Sequence, residues 1–190
     1  MKSESFDEQT TILLCQKGDK ESYGILVEKY MKRAYFSALG LVGNHEYALD
    51  LSQEAFIRAY RSIRKLDPER KFYTWYYQIL RNLCFNYLRD RSRRARPFSE
   101  LSQRQLEQIA DDEGDVIVSL EKDQLKDRLW EALEKLKPDE KEIILLKDFQ
   151  NHSYKEIAEI LECPTGTVMS RLYYARKSLK AKLEKYVNCQ

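Results

Sequence analysis

Apolar residues recur every three or four positions along most of this chain, and this spacing restricts the chain to helices. One such stripe lies between residues 45 and 66 and consists of Ala48, Leu51, Ala55, Ala59 and Ile63. Six glycines and four prolines in 190 residues are too few for a turn-rich sandwich or barrel. The sequence therefore predicts an all-α protein.

Capping residues and helix breakers indicate where the helices of the first half begin and end. Asp7 and Asp19 are placed to cap the first two helices, and Gly43 ends the second. The third helix ends before Pro68, because the residue that precedes a proline is pushed out of the α region. A fourth helix over residues 72–91 is predicted to bury one face, formed by Trp75, Ile79, Leu83 and Tyr87. Four helices suffice for one packed domain.

The helical pattern is interrupted in the middle of the chain. The interruption begins at Pro97 and contains the acidic run 111–115. We interpret residues 97–123 as a flexible acidic linker, partly helical at best. This linker would divide the chain into a first domain over 1–96 and a smaller helical domain over 124–190.

A helix-turn-helix motif is predicted in the second domain. Ser153 and Glu156 have the spacing of a capping box, in which each side chain bonds the backbone amide of the other residue. The short helix that they start ends near Cys163, and Pro164 suits the first turn of a longer helix that reaches about residue 186. The long helix has an apolar packing stripe, formed by Val168, Leu172, Ala175, Leu179 and Leu183.

The outer face of the long helix is rich in hydroxyl groups and cations. Its members are Thr167, Ser170, Arg171, Tyr173, Tyr174, Arg176 and Lys177. Such groups can reach phosphates and base edges in a DNA major groove. The alternative is an ordinary solvated helix whose last cations suit the helix dipole. The capping box, the tight turn and the long basic helix together favour binding of duplex DNA.

The third helix of the first domain has a polar face opposite its apolar stripe. Asp50, Gln53, Glu54 and Ile57 lie three or four positions apart there, so they can form an acidic and apolar docking patch. Taken alone, this stretch is better explained as a solvated helix face.

Aromatic and cationic residues alternate in and after the fourth helix. Residues 71–77 read Lys-Phe-Tyr-Thr-Trp-Tyr-Tyr, and five arginines follow at Arg89, Arg91, Arg93, Arg94 and Arg96. Rings that stack on unpaired bases, next to cations that hold phosphates, are what the binding of single-stranded DNA requires. The alternative for the rings is an aromatic core, and Trp75 in particular fits either interpretation.

The same sequence disfavours several classes of protein. The four cysteines are far apart and neither His45 nor His152 lies near one, so we expect neither a disulfide scaffold nor a metal site. Two isolated histidines without a glycine-rich phosphate loop leave no recognisable catalytic set, so we expect no enzyme and no cofactor. No apolar run approaches the roughly 18 residues that cross a bilayer, and the polar amino terminus favours a cytoplasmic protein.

Taken together, the motifs resemble those of extracytoplasmic-function (ECF) sigma factors, group 4 of the sigma-70 family, in order and in spacing. The resemblance rests on four segments: Gly18–Asp19 with the helix that follows, residues 50–60, residues 72–75, and residues 153–168. It implies a sigma-2 four-helix bundle joined by the acidic linker to a sigma-4 helix-turn-helix domain. The implied function is promoter-specific initiation of transcription, in which the chain binds RNA polymerase core enzyme and promoter DNA.

The resemblance also implies roles for individual residues. The patch of Asp50, Gln53, Glu54 and Ile57 would dock on the clamp helices of the polymerase β′ subunit, and the β flap would be a further contact. The −10 element would be read as a single strand by the loop from Asp67 to Phe72. Further residues at the −10 element would be Arg58, Ser62, Phe72, Trp75 and Asn82. The −35 element would be read as duplex by Thr167, Met169, Ser170, Arg171, Tyr173, Tyr174, Arg176 and Lys177.

An anti-sigma factor associated with the membrane is an expected partner, because many relatives are held inactive by one. Met169 and Tyr174 stand where relatives usually have a basic residue, so family promoter sequences are not transferred to this chain. The main alternative is an autonomous helix-turn-helix regulator, which would need a dimer interface and would bind duplex DNA without polymerase.

Overall fold

The structure is a computed structural model that describes residues 7–94 and 128–187. The chain divides into two compact units, residues 1–99 and residues 100–190. Throughout the described ranges the regular elements are helices and no strand occurs, which confirms the predicted all-α class. The predicted linker over 97–123 lies outside the described residues.

Residues 7–94 of the first unit form four helices that follow one another closely. They are α1 (Glu8–Gln16), α2 (Lys20–Val42), α3 (His45–Ser62) and α4 (Phe72–Arg94), with a 3-10 turn at Ile63–Lys65 after α3. Helix α2 packs against the other three helices, and α3 also packs against α4. The result is a bundle with its core between α2, α3 and α4.

The caps of these helices agree closely with the sequence-based boundaries. The Asp19 carboxylate accepts a hydrogen bond from the Glu21 amide and caps α2. Gly43 ends that helix with a left-handed backbone (φ +68°), a conformation that costs glycine little. Asp7 stands at the N-cap of α1, but its carboxylate accepts from the Thr10 hydroxyl and makes no backbone cap.

The apolar stripe predicted on α3 faces the core. Ala48, Ala55 and Ala59 are fully buried, and Ile63 is buried in the turn that follows. Leu51 is half-buried. Cys15 of α1 is buried as well, and burial raises the pKa of its thiol to about 11, so the side chain stays protonated at neutral pH.

The buried face of α4 was predicted wrongly. Trp75, Ile79 and Tyr87 are only half-buried, and Leu83 alone of the predicted set belongs to the core. The core instead receives Phe72, Tyr73, Tyr76, Tyr77, Leu80, Leu83 and Cys84.

The physical reason is that buried acceptors satisfy the tyrosine hydroxyls, so the rings can enter the core without leaving a polar group unpaired. The Tyr76 hydroxyl donates to the Ser52 carbonyl at 3.0 Å, and the Tyr73 hydroxyl lies 2.7 Å from Ser37 Oγ.

The second unit contains the predicted helix-turn-helix. Residues 128–134 form the described part of α5, and α6 (Pro138–Ile144) continues into a π-helical turn at Leu145–Phe149. Helix α7 (Tyr154–Ile160) and the long helix α8 (Thr165–Val187) follow. Helix α8 packs against both α6 and α7.

The inner stripe predicted on α8 enters the core at Val168, Leu172 and Ala175, whereas Leu179 is half-buried. The predicted capping box is confirmed: the Glu156 amide donates to Ser153 Oγ at 3.2 Å, and the Ser153 amide donates to Glu156 Oε2 at 2.9 Å.

Pro164 differs slightly from its predicted place. It precedes the first helical residue of α8, and its carbonyl accepts from the Thr167 and Val168 amides. Helix α8 therefore begins one residue later than the sequence suggested.

The capping box gives a testable contribution to stability. We expect Ser153→Ala to lower the free energy of unfolding of the second unit by about 1 kcal/mol, because the Glu156 amide loses its acceptor. Urea denaturation followed by Trp130 fluorescence in a Trp75→Phe background measures this. Ser153→Thr keeps the acceptor and serves as the control; an equal loss in both variants would show that the cap contributes nothing.

Candidate nucleic-acid and docking surfaces

The predicted docking patch lies on one exposed face of α3. Asp50 and Gln53 are exposed, and Ile57 keeps 47% of its surface exposed although its side chain is large and apolar. The core residues of α3 lie on the opposite face, because they occupy different positions of the helical repeat from the patch residues. An exposed apolar side chain beside carboxylates suits a partner surface that offers both apolar contact and cations.

Glu54 joins this patch to the neighbouring predicted DNA surface. Its carboxylate accepts a hydrogen bond from Arg58 Nε at 2.7 Å, in an ion pair that is largely exposed on both sides. An exposed pair of this kind contributes at most about 1 kcal/mol. Glu54 can therefore exchange Arg58 for a cation of a partner, at little cost in free energy. Arg58 can likewise exchange Glu54 for a phosphate.

The loop between α3 and α4 is an ordered turn. The Asp67 carboxylate accepts from the Glu69 amide at 3.0 Å, and the Asp67 carbonyl accepts from the Arg70 amide at 3.0 Å. Pro68 occupies the second position of this turn, where its fixed φ is favourable. The turn therefore presents Glu69, Arg70 and the adjacent Lys71 as exposed residues.

The other residues predicted at the −10 surface have different environments. Ser62 ends α3 and donates its hydroxyl proton to the Arg58 carbonyl at 2.7 Å. Trp75 is half-exposed and Asn82 is exposed, and their spacing of seven residues places them on one face of α4.

Phe72 differs from these residues because its side chain is fully buried. Its ring is stacked with the Tyr30 ring at a centroid distance of 5.6 Å and with the Tyr76 ring at 5.8 Å. The structure therefore places the Phe72 ring in the core and not on the DNA-facing surface predicted for it.

Cations lie against two aromatic rings of α4. The Arg81 guanidinium lies 4.5 Å from the centroid of the Phe85 ring, and that of Arg33 lies 4.1 Å from the Tyr73 ring. Of the arginine run, Arg89, Arg91 and Arg93 are exposed, and Arg96 lies outside the described residues. The carboxyl half of α4 is thus strongly basic.

The outer face of α8 presents large side chains to solvent. Tyr173 and Tyr174 are 63% and 62% exposed, with ring centroids 5.3 Å apart. The other exposed members of the predicted set are Met169, Ser170, Arg171, Arg176 and Lys177, whereas Thr167 is half-buried. Ser170 donates to the Thr167 carbonyl at 3.0 Å, which satisfies its hydroxyl within the helix.

Arg176 has a partner that the sequence did not reveal. Its Nε donates to Asp148 Oδ2 at 3.1 Å, and its Nη2 donates to the other oxygen of the same carboxylate. These bonds hold the pKa of Arg176 above its ordinary value. Nη1 takes no part in the pair, so it stays available for a second acceptor. Asp148 lies 28 residues earlier in the chain, and no local pattern signals such a pair.

Within residues 7–94 and 128–187, no helix is both long and apolar enough to span a membrane. In the same ranges no cluster of three histidine, cysteine or acidic side chains could hold a metal ion.

Comparison with known proteins identifies both units. Residues 26–94 match the family described as Sigma-70 region 2, and residues 126–179 match Sigma-70, region 4. The RNA polymerase sigma-H factor of Pseudomonas aeruginosa is 32% identical over 182 residues, which cover 93% of this chain and 94% of the relative. The ECF RNA polymerase sigma-E factor of Haemophilus influenzae is 31% identical over 190 residues, which cover 96% of this chain and 98% of the relative.

A solved structure shows the same fold. The sigma factor RpoE of Bartonella quintana, in complex with the anti-sigma factor NepR, superposes with a TM-score of 0.67 and 24% identity. The match covers 86% of this chain and 98% of that chain. Since the likeness to the curated relatives extends over nearly the whole of each chain, the protein belongs to the ECF group of the sigma-70 family of RNA polymerase sigma factors.

Proposed function

We propose that this sigma factor directs initiation by holding two DNA-reading surfaces on one polymerase core enzyme. The observation that carries the proposal is that two separate compact units each present an exposed polar, aromatic and basic surface next to a packed core. When both surfaces are bound to one core enzyme, the second DNA contact becomes effectively intramolecular. Promoter selectivity then depends on both elements and on the distance between them.

The docking face would be the α3 patch of Asp50, Gln53, Glu54 and Ile57. Its carboxylates would meet cations of the clamp helices on the polymerase β′ subunit, and Ile57 would supply the apolar contact. Release of Glu54 from Arg58 on docking would free that guanidinium for DNA. Core docking and −10 recognition would then support each other through this single ion pair.

The −10 surface would consist of Arg58, Ser62, the turn at 67–71, Trp75 and Asn82. The exposed turn and the two α4 residues would hold flipped bases of the opened strand, and the basic carboxyl half of α4 would hold its phosphates. Phe72 would support this surface from the core. No covalent step is assigned to the chain, because the polymerase supplies the chemistry.

The −35 surface would be the outer face of α8 in a major groove. Arg171, Arg176 and Lys177 supply cations, and the two exposed tyrosines supply ring edges for bases and hydroxyls for phosphates. Asp148 would orient the Arg176 guanidinium, so that Nη1 points to a single acceptor.

Two further proposals concern partners and location. We propose that an anti-sigma factor restrains the protein, because the structural neighbour RpoE is bound by one. We propose a cytoplasmic location, where polymerase and the chromosome are found.

Run-off transcription with purified core enzyme on fragmented genomic DNA tests the function. We expect discrete transcripts that require the protein, and their start sites identify its promoter. A protein that binds duplex DNA as a free dimer, while core enzyme with it initiates nowhere, would instead support the autonomous regulator.

The α8 surface carries a specific prediction. Tyr173→Ala is expected to lower transcription from the identified promoter about tenfold, because a contact worth about 1–3 kcal/mol of discrimination is lost. Binding of core enzyme, measured by fluorescence anisotropy, should not change. Glu159→Ala, an exposed change on α7, is the matched control; loss of core binding in Tyr173→Ala would show that the side chain is structural.

A further inference from the structure

Helix α1 makes side-chain contacts to both ends of the turn that joins α3 to α4. At the start of the turn, the Gln16 amide nitrogen donates to the Ile63 carbonyl at 3.1 Å and to the Leu66 carbonyl at 2.6 Å. At its end, the Glu8 carboxylate accepts from the Phe72 amide at 2.7 Å. These partners lie 47, 50 and 64 residues away in the chain.

The residues between Glu8 and Gln16 fix the helix in this position. Glu8, Ile12 and Gln16 follow one another at four-residue spacing on one side of α1, about 12 Å from end to end. Ile12 is fully buried and Cys15 nearly so. Helix α1 therefore has an apolar middle that packs in the core and one polar side chain at each end that bonds the backbone of the turn.

Both polar contacts are chemically specific. Gln16 bonds two carbonyl oxygens, so its donor group must face them, and glutamate could not replace it. Glu8 caps the first turn of α4, where the helix dipole stabilises a carboxylate. The other oxygen of Glu8 accepts from the Tyr30 hydroxyl and lies 3.4 Å from Lys29 Nζ. The Glu8 carboxylate is thus itself held in place by α2.

We infer that Glu8 and Gln16 are positioning residues for −10 recognition, which hold the turn at 67–71 in its binding conformation before DNA arrives. The inference rests on the proposed −10 role of that turn. A turn ordered in advance loses less conformational entropy when it captures an unpaired base, so binding is tighter. Neither side chain needs to touch DNA.

The test uses holoenzyme reconstituted from core enzyme and full-length variants. The probe is a fluorescent oligonucleotide carrying the non-template −10 strand of the promoter found by run-off transcription. Gln16→Ala and Glu8→Ala are each expected to weaken probe binding about fivefold, because each removes the hydrogen bonds that hold one end of the turn. Affinity for core enzyme and for a −35 duplex should stay unchanged.

Conservative and control variants separate positioning from folding. Glu8→Gln keeps an acceptor for the Phe72 amide and should restore most of the binding that Glu8→Ala loses. Gln9→Ala makes the same change as Gln16→Ala on the exposed side of α1 and should have no effect. If Glu8→Ala fails to fold, hydrogen exchange at the Arg70 and Phe72 amides in Gln16→Ala provides the second measurement. Faster exchange than in Gln9→Ala is expected, and unchanged protection would overturn the inference.

A turn variant with Glu69→Ala, Arg70→Ala and Lys71→Ala tests the −10 role of the turn separately from the positioning role of α1. If this variant binds the probe normally, the proposed −10 role of the turn is wrong. If it loses binding while Gln16→Ala and Glu8→Ala behave like Gln9→Ala, the turn reads DNA but α1 does not position it.

Discussion

A Tyr76→Ala variant is expected to lose about 3–5 kcal/mol of the free energy of unfolding of the first unit. The Tyr76 ring is fully buried and lies 4.3 Å from the Phe56 ring between α3 and α4, and its hydroxyl bonds the Ser52 carbonyl. Alanine would leave a cavity where the Tyr76 ring now packs. A domain of this size has about 5–15 kcal/mol in total, so the variant should lose a large share of its stability.

Urea denaturation followed by Trp75 fluorescence in a Trp130→Phe background reports on the first unit, because the chain has two tryptophans and one lies in each unit. Tyr76→Phe is the matched control. It removes only the hydroxyl and is expected to cost about 1 kcal/mol. Equal losses in the two variants would show that the hydrogen bond, and not the ring packing, stabilises the bundle.

Reversing both charges of the docking patch, with Asp50→Lys and Glu54→Lys, is expected to weaken binding of core enzyme about a hundredfold. The proposed partner surface is cationic, and like charges placed opposite each other cost several kcal/mol. The new lysines should hardly affect folding, because both positions lie on the exposed face of α3 and repulsion from Arg58 costs only a few tenths of a kcal/mol. Fluorescence anisotropy of the labelled protein, titrated with core enzyme, measures the change.

Two controls make this result specific to the patch. The neutral pair Asp50→Asn and Glu54→Gln should weaken binding much less, because it removes attraction without adding repulsion. Glu28→Lys adds positive charge at an exposed position on α2 that is not part of the patch, and should leave binding unchanged. An unaltered affinity in the double lysine variant would place core docking elsewhere on the protein.

The aromatic helix shows where sequence-based prediction of the fold failed. On α4 the periodic pattern is ambiguous, since aromatic residues occupy almost every position of the first two turns. Apolar residues at three- and four-residue spacing occur on more than one face of α4, so the pattern alone did not single out the buried face. The outcome depended on acceptors such as Ser52, which α3 brings to the core from 24 residues away.

The sequence by itself determined the helical class, the helix boundaries to within a few residues, and the exposed faces of α3 and α8. These features depend on neighbours within one or two turns: Asp19 caps the helix that it precedes, and Ser153 bonds a residue three positions later. The tertiary structure alone decided which face of α4 is buried, that Asp148 holds Arg176, and that α1 holds both ends of the turn before α4. The physical reason is that those contacts join residues from different helices, and only the packed bundle brings their atoms within hydrogen-bonding distance.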